Sequence, residues 1–191
     1  MKINRKRISI YFLLIIILIC FIIGFIYLND YYHVDKEKLK SFSFDYNVSK
    51  KILDDNKIIY GEENSEVGIV FYPGDKVEYL SYEPLMKVCA SYGFMCVLVE
   101  MPFNLAVFDI NAADGIQEKF LDIDKWYIGG HSLGGAMAAT YLANNIEKFD
   151  GLILLGAYST QDLSDTSLKV ISIYGSEDKV LSLDKYAENK V

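Results

Sequence analysis

The most informative segment of the sequence is Trp126-Tyr127-Ile128-Gly129-Gly130-His131-Ser132-Leu133-Gly134-Gly135-Ala136. An apolar run leads to a serine set between glycines, and small helix-forming residues follow, which predicts a strand, a sharp turn and a helix. The turn brings two backbone segments together, so side chains two residues before and after the serine must be nearly absent. Gly130 and Gly134 meet that requirement. We therefore interpret Gly130-x-Ser132-x-Gly134 as a nucleophile elbow with Ser132 as the nucleophile, a tight turn with a capping serine being the alternative.

Apolar runs alternate with helical patterns on both sides of this stretch. Continuous apolar runs predict strands buried on both faces at residues 67–72, 94–99, 151–156 and 169–175. Helical patterns predict helices at residues 78–92, 109–120 and 133–146. Strands that alternate with helices imply βαβ units with right-handed crossovers, so the sequence predicts a parallel sheet in an α/β domain.

The N-terminus carries a long uncharged segment at residues 8–28. At ~1.5 Å per residue it is long enough to cross a hydrocarbon core of ~30 Å, so we expect a transmembrane anchor. Basic residues in the preceding tail, residues 1–7, favour a cytoplasmic N-terminus and place the following domain outside the cytoplasm at the cell membrane. A cleavable signal peptide is the alternative, but Gly24-Phe25-Ile26-Tyr27-Leu28 is bulkier than a cleavage site requires. Residues 29–56 are expected to form a stalk and entry segment, and residues 57–191 the domain itself.

Charge and residue usage exclude several classes of function. The formal net charge of −7 leaves no basic patch to neutralise phosphates, which argues against nucleic-acid binding. No cluster of cysteine or histidine has the spacing of metal ligands, so we expect neither a metal nor a cofactor. The sequence does not assign an oligomeric state.

The motif Gly130-His131-Ser132-Leu133-Gly134-Gly135 resembles the elbow of the α/β-hydrolase superfamily, of the dienelactone-hydrolase-like and esterase-like kind. The resemblance covers about residues 57–183 and includes Val70-Phe71-Tyr72-Pro73-Gly74, Met101-Pro102 and Tyr174-Gly175-Ser176-Glu177-Asp178. It implies an α/β fold with a doubly wound, mostly parallel sheet, which here follows one N-terminal transmembrane helix.

The resemblance also implies a catalytic site. In this superfamily the triad runs serine, then acid, then histidine along the chain, which gives Ser132 the first role and Asp178 the second. Glu177 is the backup assignment for the acid. The backbone N–H of Leu133 is expected to provide one oxyanion donor, and Gly74 or Asp75 the other.

The histidine of the triad is missing from the pattern. The chain has two histidines, and neither follows Asp178. His131 adjoins the nucleophile, so we expect its ring to point away from the serine hydroxyl, and His33 precedes the domain as a solvated linker residue. By the resemblance, the histidine should come after a further helix and strand. We therefore expect a truncated domain that lacks its final strand, helix and catalytic histidine.

Two functions follow from these observations. The first is a membrane-anchored serine hydrolase that acts on a small-molecule ester, thioester or amide through a Ser132 acyl-enzyme, with activity reduced by orders of magnitude for want of the histidine. Acyl transfer to an acceptor other than water would use the same residues. The second is a non-catalytic, membrane-tethered binding or scaffold domain that keeps the hydrolase fold.

Overall fold

The computed structural model describes residues 5–41, 48–189 and 191. Contacts divide the chain into two units, Met1–Tyr31 and Tyr32–Val191. Residues 1–4 of the expected basic tail and residues 42–47 of the expected stalk lie outside the described residues.

The first unit contains one long helix, α1 (Arg5–Asn29). Its stretch Ser9–Asn29 has a mean hydropathy of 3.1 and no buried residues in its most apolar part. Length and composition are therefore sufficient for it to span a membrane, and a signal sequence near the N-terminus would have the same properties.

The second unit is built on one sheet, in which the described residues form seven strands. The strands are β1 (Lys50–Asp54), β2 (Lys57–Tyr60), β3 (Val67–Tyr72), β4 (Phe94–Val99), β5 (Lys125–His131), β6 (Gly151–Leu155) and β7 (Lys169–Ile173). Their order across the sheet is β1-β2-β4-β3-β5-β6-β7. The pairs β1–β2 and β2–β4 are antiparallel, and the other neighbours are parallel. The predicted α/β fold with a mostly parallel sheet is confirmed, and β1 adds an edge strand from within the segment expected to be the stalk and entry.

Apart from α1, the α-helices are α2 (Lys36–Ser41), α3 (Glu83–Ser91), α4 (Leu133–Ala143) and α5 (Leu183–Ala187). The helix predicted for residues 78–92 begins with a 3₁₀ turn at Tyr79–Tyr82. The helix after the elbow ends at Ala143 rather than residue 146. The side chains of Asn144 and Asn145 donate hydrogen bonds to the carbonyls of Thr140 and Tyr141 in the last turn, where a longer helix would use backbone N–H groups.

The helix predicted for residues 109–120 is wrong. The segment between β4 and β5 contains 3₁₀ turns at Pro102–Asn104, Ala106–Phe108 and Gln117–Lys119. The buried hydroxyl of Tyr72 donates to the carbonyl of Ile110 (2.8 Å) and accepts the N–H of Ala113 (2.9 Å). These are backbone groups that an α-helix would pair internally, and Gly115 (φ +72°) further interrupts a helical path.

Alternate residues of the central strands enter two separate hydrophobic clusters. Val70 and Tyr72 of β3 belong to one cluster, whereas Ile69 and Phe71 belong to the other. Because side chains alternate between the faces of a strand, the sheet is covered by apolar side chains on both faces. This explains why the central strands appear in the sequence as continuous apolar runs.

Candidate active site

The turn between β5 and α4 holds Ser132 in a conformation that is rare for a residue with a side chain. Its φ is +51° and its ψ −124°, and α4 begins at the next residue. Such backbone strain costs on the order of 1–3 kcal/mol and persists only where the surroundings fix it. Here the N–H of Ser132 donates to the carbonyl of Leu155 on β6 (2.9 Å), which ties the turn to the neighbouring strand.

Glycines allow the backbones around this turn to approach one another closely. A Cβ atom on Gly130 would lie 2.6 Å from the carbonyl oxygen of Tyr72, and one on Gly134 would overlap the carbonyl oxygen of Pro73. A Cβ atom on Gly135 would lie 2.6 Å from the Cβ of Ala157. The glycines on each side of Ser132 are therefore required by contact with the end of β3, which is the reason inferred from the sequence pattern.

The N-terminus of α4 lies directly after Ser132. As the first residue of the helix, Leu133 has a backbone N–H with no acceptor inside the helix. The helix dipole also concentrates partial positive charge at this end. An anion that forms beside Ser132 would be stabilised by both effects, which agrees with the role expected for the Leu133 N–H.

The loop after β3 carries the two candidates for the second oxyanion donor, Gly74 and Asp75. The N–H of Gly74 donates to the hydroxyl oxygen of Tyr82 at 3.0 Å. The N–H of Lys76, two residues later, donates to the carbonyl of Asn104 (2.9 Å). The loop is thus fixed at two points, and the Gly74 donor is engaged by a side chain.

His131 contacts a tyrosine from a distant part of the chain. Its Nδ1 lies 2.8 Å from the hydroxyl oxygen of Tyr82, with the ring centroids 5.9 Å apart. The ring is half-buried, and this burial holds the pKa of His131 below its ordinary value, although the Asp178 carboxylate opposes the effect. The contact with Tyr82 spans 49 residues of sequence, so no local pattern could have indicated it.

Asp178 is held in the loop after β7 by hydrogen bonds from its own segment. Its Oδ1 accepts the N–H of Val180 (2.8 Å) and of Leu181 (3.0 Å). These bonds lower the pKa of Asp178, and His131 contributes further in the same direction. Asp178 is half-buried, whereas Glu177 is exposed. Of the two acids considered from the sequence, Asp178 is therefore the one oriented and electrostatically coupled to the elbow.

A cavity of about 470 Å³ opens beside the elbow. It is bounded by the start of α4 and by the segments that follow β6 and β7. Its lining includes Ser132, Leu133, Met137, Tyr158, Val180 and Lys185. The space is of the size that small-molecule sites occupy, and much of its wall is apolar.

His33 and a metal site were the remaining possibilities considered, and neither adds a residue to this site. Nδ1 of His33 lies 3.7 Å from the carboxylate of Glu78, in an exposed position. In the described part of the chain, no group of three or more His, Cys, Asp or Glu side chains could hold a metal ion. The structure thus brings together the elbow, the loop after β3 and Asp178, without a histidine that follows Asp178 in the sequence.

Comparison with known protein families gives a match. A model of the alpha/beta hydrolase family matches residues 68–191, from β3 through the elbow and Asp178 to the last residue. A comparison with curated proteins finds no match. The family match covers well over half of the chain and agrees with the mostly parallel sheet and the glycine-flanked turn at Ser132. This protein belongs to the alpha/beta hydrolase family.

Proposed function

We propose that this chain is a membrane-anchored serine hydrolase that acts on an ester, thioester or amide of a small molecule through an acyl-enzyme on Ser132. The observation that carries the proposal is the strained turn at Ser132, which directly precedes α4 and lines a cavity. A strained nucleophile at a strand-to-helix turn is the hallmark of the elbow motif. Backbone strain of this kind collects at functional sites.

In the proposed reaction, Oγ of Ser132 attacks the carbonyl carbon and gives its proton to a base. The carbonyl oxygen becomes an oxyanion, which the N–H of Leu133 and a second N–H in the loop after β3 would stabilise. The leaving group departs with the bonding electrons and takes up a proton, and water then attacks the acyl-enzyme to release the acid and restore Ser132. Asp178 would orient a histidine base and stabilise its cation.

Activity of the 191-residue chain is expected to be low. Both of its histidines precede Asp178, and the Nδ1 of His131 contacts Tyr82 rather than Ser132. Removal of one triad member eliminates most of the rate enhancement but leaves the contributions of the oxyanion donors and of substrate binding. We therefore expect activity reduced by orders of magnitude, with a residual rate that depends on Ser132.

The anchor and the location of the domain are part of the same proposal. The apolar stretch Ser9–Asn29 supports an uncleaved anchor, and the basic residues before it favour a domain outside the cytoplasm. The intact mass of protein recovered from membranes distinguishes an anchor from a cleaved signal. Digestion of sealed cells by an added protease tests the orientation, because only a domain outside the cytoplasm would be lost.

The second candidate function is a non-catalytic, membrane-tethered binding domain. It is favoured by the contact of His131, the histidine next to Ser132, whose Nδ1 lies 2.8 Å from the hydroxyl oxygen of Tyr82. Under this alternative the cavity beside Ser132 would bind a ligand without cleaving it. The two functions differ in whether Ser132 ever carries an acyl group.

The test is the hydrolysis of a p-nitrophenyl ester of a short-chain acid by the full chain in detergent micelles. We expect slow release of p-nitrophenol, and intact-mass spectra that show a transient increase equal to one acyl group. Ser132→Ala should abolish both signals, whereas Ser176→Ala, in the exposed loop near Asp178, should leave them unchanged. Absence of the acyl adduct in the unmodified chain would favour the binding function.

A further inference from the structure

Tyr82 joins three parts of the candidate site that are distant in sequence. Its hydroxyl oxygen accepts the N–H of Gly74 at 3.0 Å and lies 2.8 Å from Nδ1 of His131. Its ring packs against Phe71 near the end of β3, with centroids 5.1 Å apart. One side chain from the 3₁₀ turn before α3 thus contacts the last strand residues, the loop and the elbow.

The surroundings of His131 indicate which atom donates. A Cβ atom on Gly156 would lie 3.5 Å from Oδ2 of Asp178 and 3.6 Å from Nε2 of His131, so these two atoms border the same small space. The negative charge of Asp178 favours a proton on Nε2, and burial lowers the pKa of the ring, which favours its neutral form. Nδ1 is then an acceptor, and the hydroxyl of Tyr82 donates to it while accepting the N–H of Gly74.

The loop backbone lies directly against this pair of side chains. A Cβ atom on Gly74 would be 2.5 Å from Nδ1 of His131 and 2.8 Å from the hydroxyl oxygen of Tyr82. A side chain at position 74 would therefore displace the His131–Tyr82 pair. The N–H of Gly74 is engaged by that pair, which leaves Asp75 as the free candidate for the second oxyanion donor.

We propose that Tyr82 is a positioning residue that fastens the loop after β3 to the elbow through Gly74 and His131, so that Asp75, and not Gly74, supplies the second oxyanion N–H. The second clause rests on the proposed hydrolase function. The first describes the fold of the loop and holds whether or not Ser132 reacts.

The first experiment measures amide hydrogen exchange in the full chain in detergent micelles, in the peptide that contains Gly74. Tyr82→Phe removes only the hydroxyl, so we expect exchange at Gly74 to become at least tenfold faster. Tyr79→Phe is the matched control, since Tyr79 lies on the same 3₁₀ turn and its hydroxyl pairs with Glu100. Unchanged exchange at Gly74 in Tyr82→Phe would overturn the proposal.

A measurement on the unsubstituted protein keeps the test valid if Tyr82→Phe folds poorly. The ¹⁵N chemical shifts of the His131 ring report which nitrogen carries the proton. We expect a neutral ring protonated at Nε2, with Nδ1 as the acceptor. A ring that samples both tautomers would show that the Tyr82 hydroxyl does not hold Nδ1, and would overturn the proposal.

The second experiment concerns the oxyanion donor and uses the rate at which a fluorophosphonate modifies Ser132. If Tyr82 positions the loop so that Asp75 donates, Tyr82→Phe should lower the maximal inactivation rate at least fivefold and leave the half-saturating concentration nearly unchanged. If Gly74 is the donor, its release from Tyr82 would raise the rate and contradict the proposal. Failure of Ser132 to react in the unsubstituted chain would count against the proposed function, and the exchange of Gly74 would still decide the role of Tyr82.

Discussion

The strand that carries Ser132 and the strand that leads to Asp178 are separated by a single strand, yet their surroundings differ. Ile128 on β5 is fully buried, whereas Ile171 and Ile173 on β7 are 55% and 58% exposed. Ser132 therefore follows a strand that is covered on both faces, and Asp178 follows a strand with one face open to solvent.

The difference extends to how each side chain is held. Ser132 is fixed by backbone contacts with segments distant in sequence. The end of β3 packs against the glycines of the elbow, and the end of β6 accepts the N–H of Ser132. Asp178 is fixed by hydrogen bonds within four residues of its own loop. Substitutions near Ser132 should therefore affect the stability of the whole domain, whereas those near Asp178 should act locally.

The largest effect is expected for Gly134→Ala, since the added methyl group would overlap the carbonyl oxygens of Pro73 and Tyr72. We expect a loss of at least about 4 kcal/mol in the free energy of unfolding, because only a backbone shift can relieve the overlap. Urea unfolding of the full chain in micelles measures this through the fluorescence of Trp126, the only tryptophan and a buried one.

Gly175→Ala is the matched control in the loop after β7. A Cβ atom there would meet its nearest neighbour, the N of Asp178, at 3.9 Å, which is an ordinary contact. We expect a change in the free energy of unfolding within about 0.5 kcal/mol. Equal losses for the two substitutions would show that the two regions do not differ as described.

The next effect compares two isoleucines on different strands. Ile128→Ala would leave a cavity in the core, and we expect it to reduce the free energy of unfolding by about 3–4 kcal/mol. Ile173→Ala, at a largely exposed position, should cost below about 1 kcal/mol. The same urea titration measures both, and a large loss for Ile173→Ala would mean that the outer face of β7 is covered in solution.

A smaller effect is expected for Gly156→Ala, at the point where the two regions meet. The methyl group would find neighbours no closer than 3.5 Å, so the cost comes from the φ of +53° and should be about 1–2 kcal/mol. Gly93→Ala is the control, because Gly93 also has a positive φ (+90°) with open space around it. We expect similar losses in stability, but only Gly156→Ala should shift the NMR resonances of the His131 ring.

The smallest effect on stability is expected for Asp178→Asn, which removes a charge and little packing. Because the Asp178 carboxylate raises the pKa of His131 against the effect of burial, its loss should lower the pKa of His131 further. An NMR titration measures this directly, with the resonance of His33 as the internal reference. An unchanged pKa of His131 would mean that the two side chains are not coupled.

The sign of the pH dependence follows from the same shift. Folding lowers the pKa of His131 from its ordinary value of 6.5, so the folded chain disfavours the protonated ring. The contribution of neutral His131 to stability is therefore complete above pH 6.5 and is lost as the pH falls from there through the lowered pKa. The urea midpoint of the unsubstituted chain should therefore decrease as the pH is lowered from 8 to 5. The decrease should be larger in Asp178→Asn.

Local patterns in the sequence were sufficient to predict the parallel strands β3 to β7 and the turn at Ser132, whereas the antiparallel pairing of β1 and β2 was not predicted. The apolar runs gave β3 and β4 with the bounds seen in the structure, because strands covered on both faces have no polar alternation. The elbow was predictable because the close approach of backbones leaves glycines at fixed positions around Ser132.

What the sequence could not show depends on contacts between distant segments. The predicted helix at residues 109–120 is wrong because the hydroxyl of Tyr72, distant in sequence, takes up the backbone groups of that segment. The role of Tyr82 at His131 and Gly74 was missed because no spacing connects these residues. Such pairings follow from the packing of the sheet rather than from local sequence.

The assignment of Ser132 as the nucleophile is tested by mapping the site of modification by a fluorophosphonate. The full chain in micelles is treated with excess reagent, digested and analysed by mass spectrometry. We expect one adduct on Ser132, slow to form, and none after Ser132→Ala. Adducts distributed over exposed serines such as Ser164 and Ser176, or no adduct at all, would contradict the assignment of Ser132 as the nucleophile.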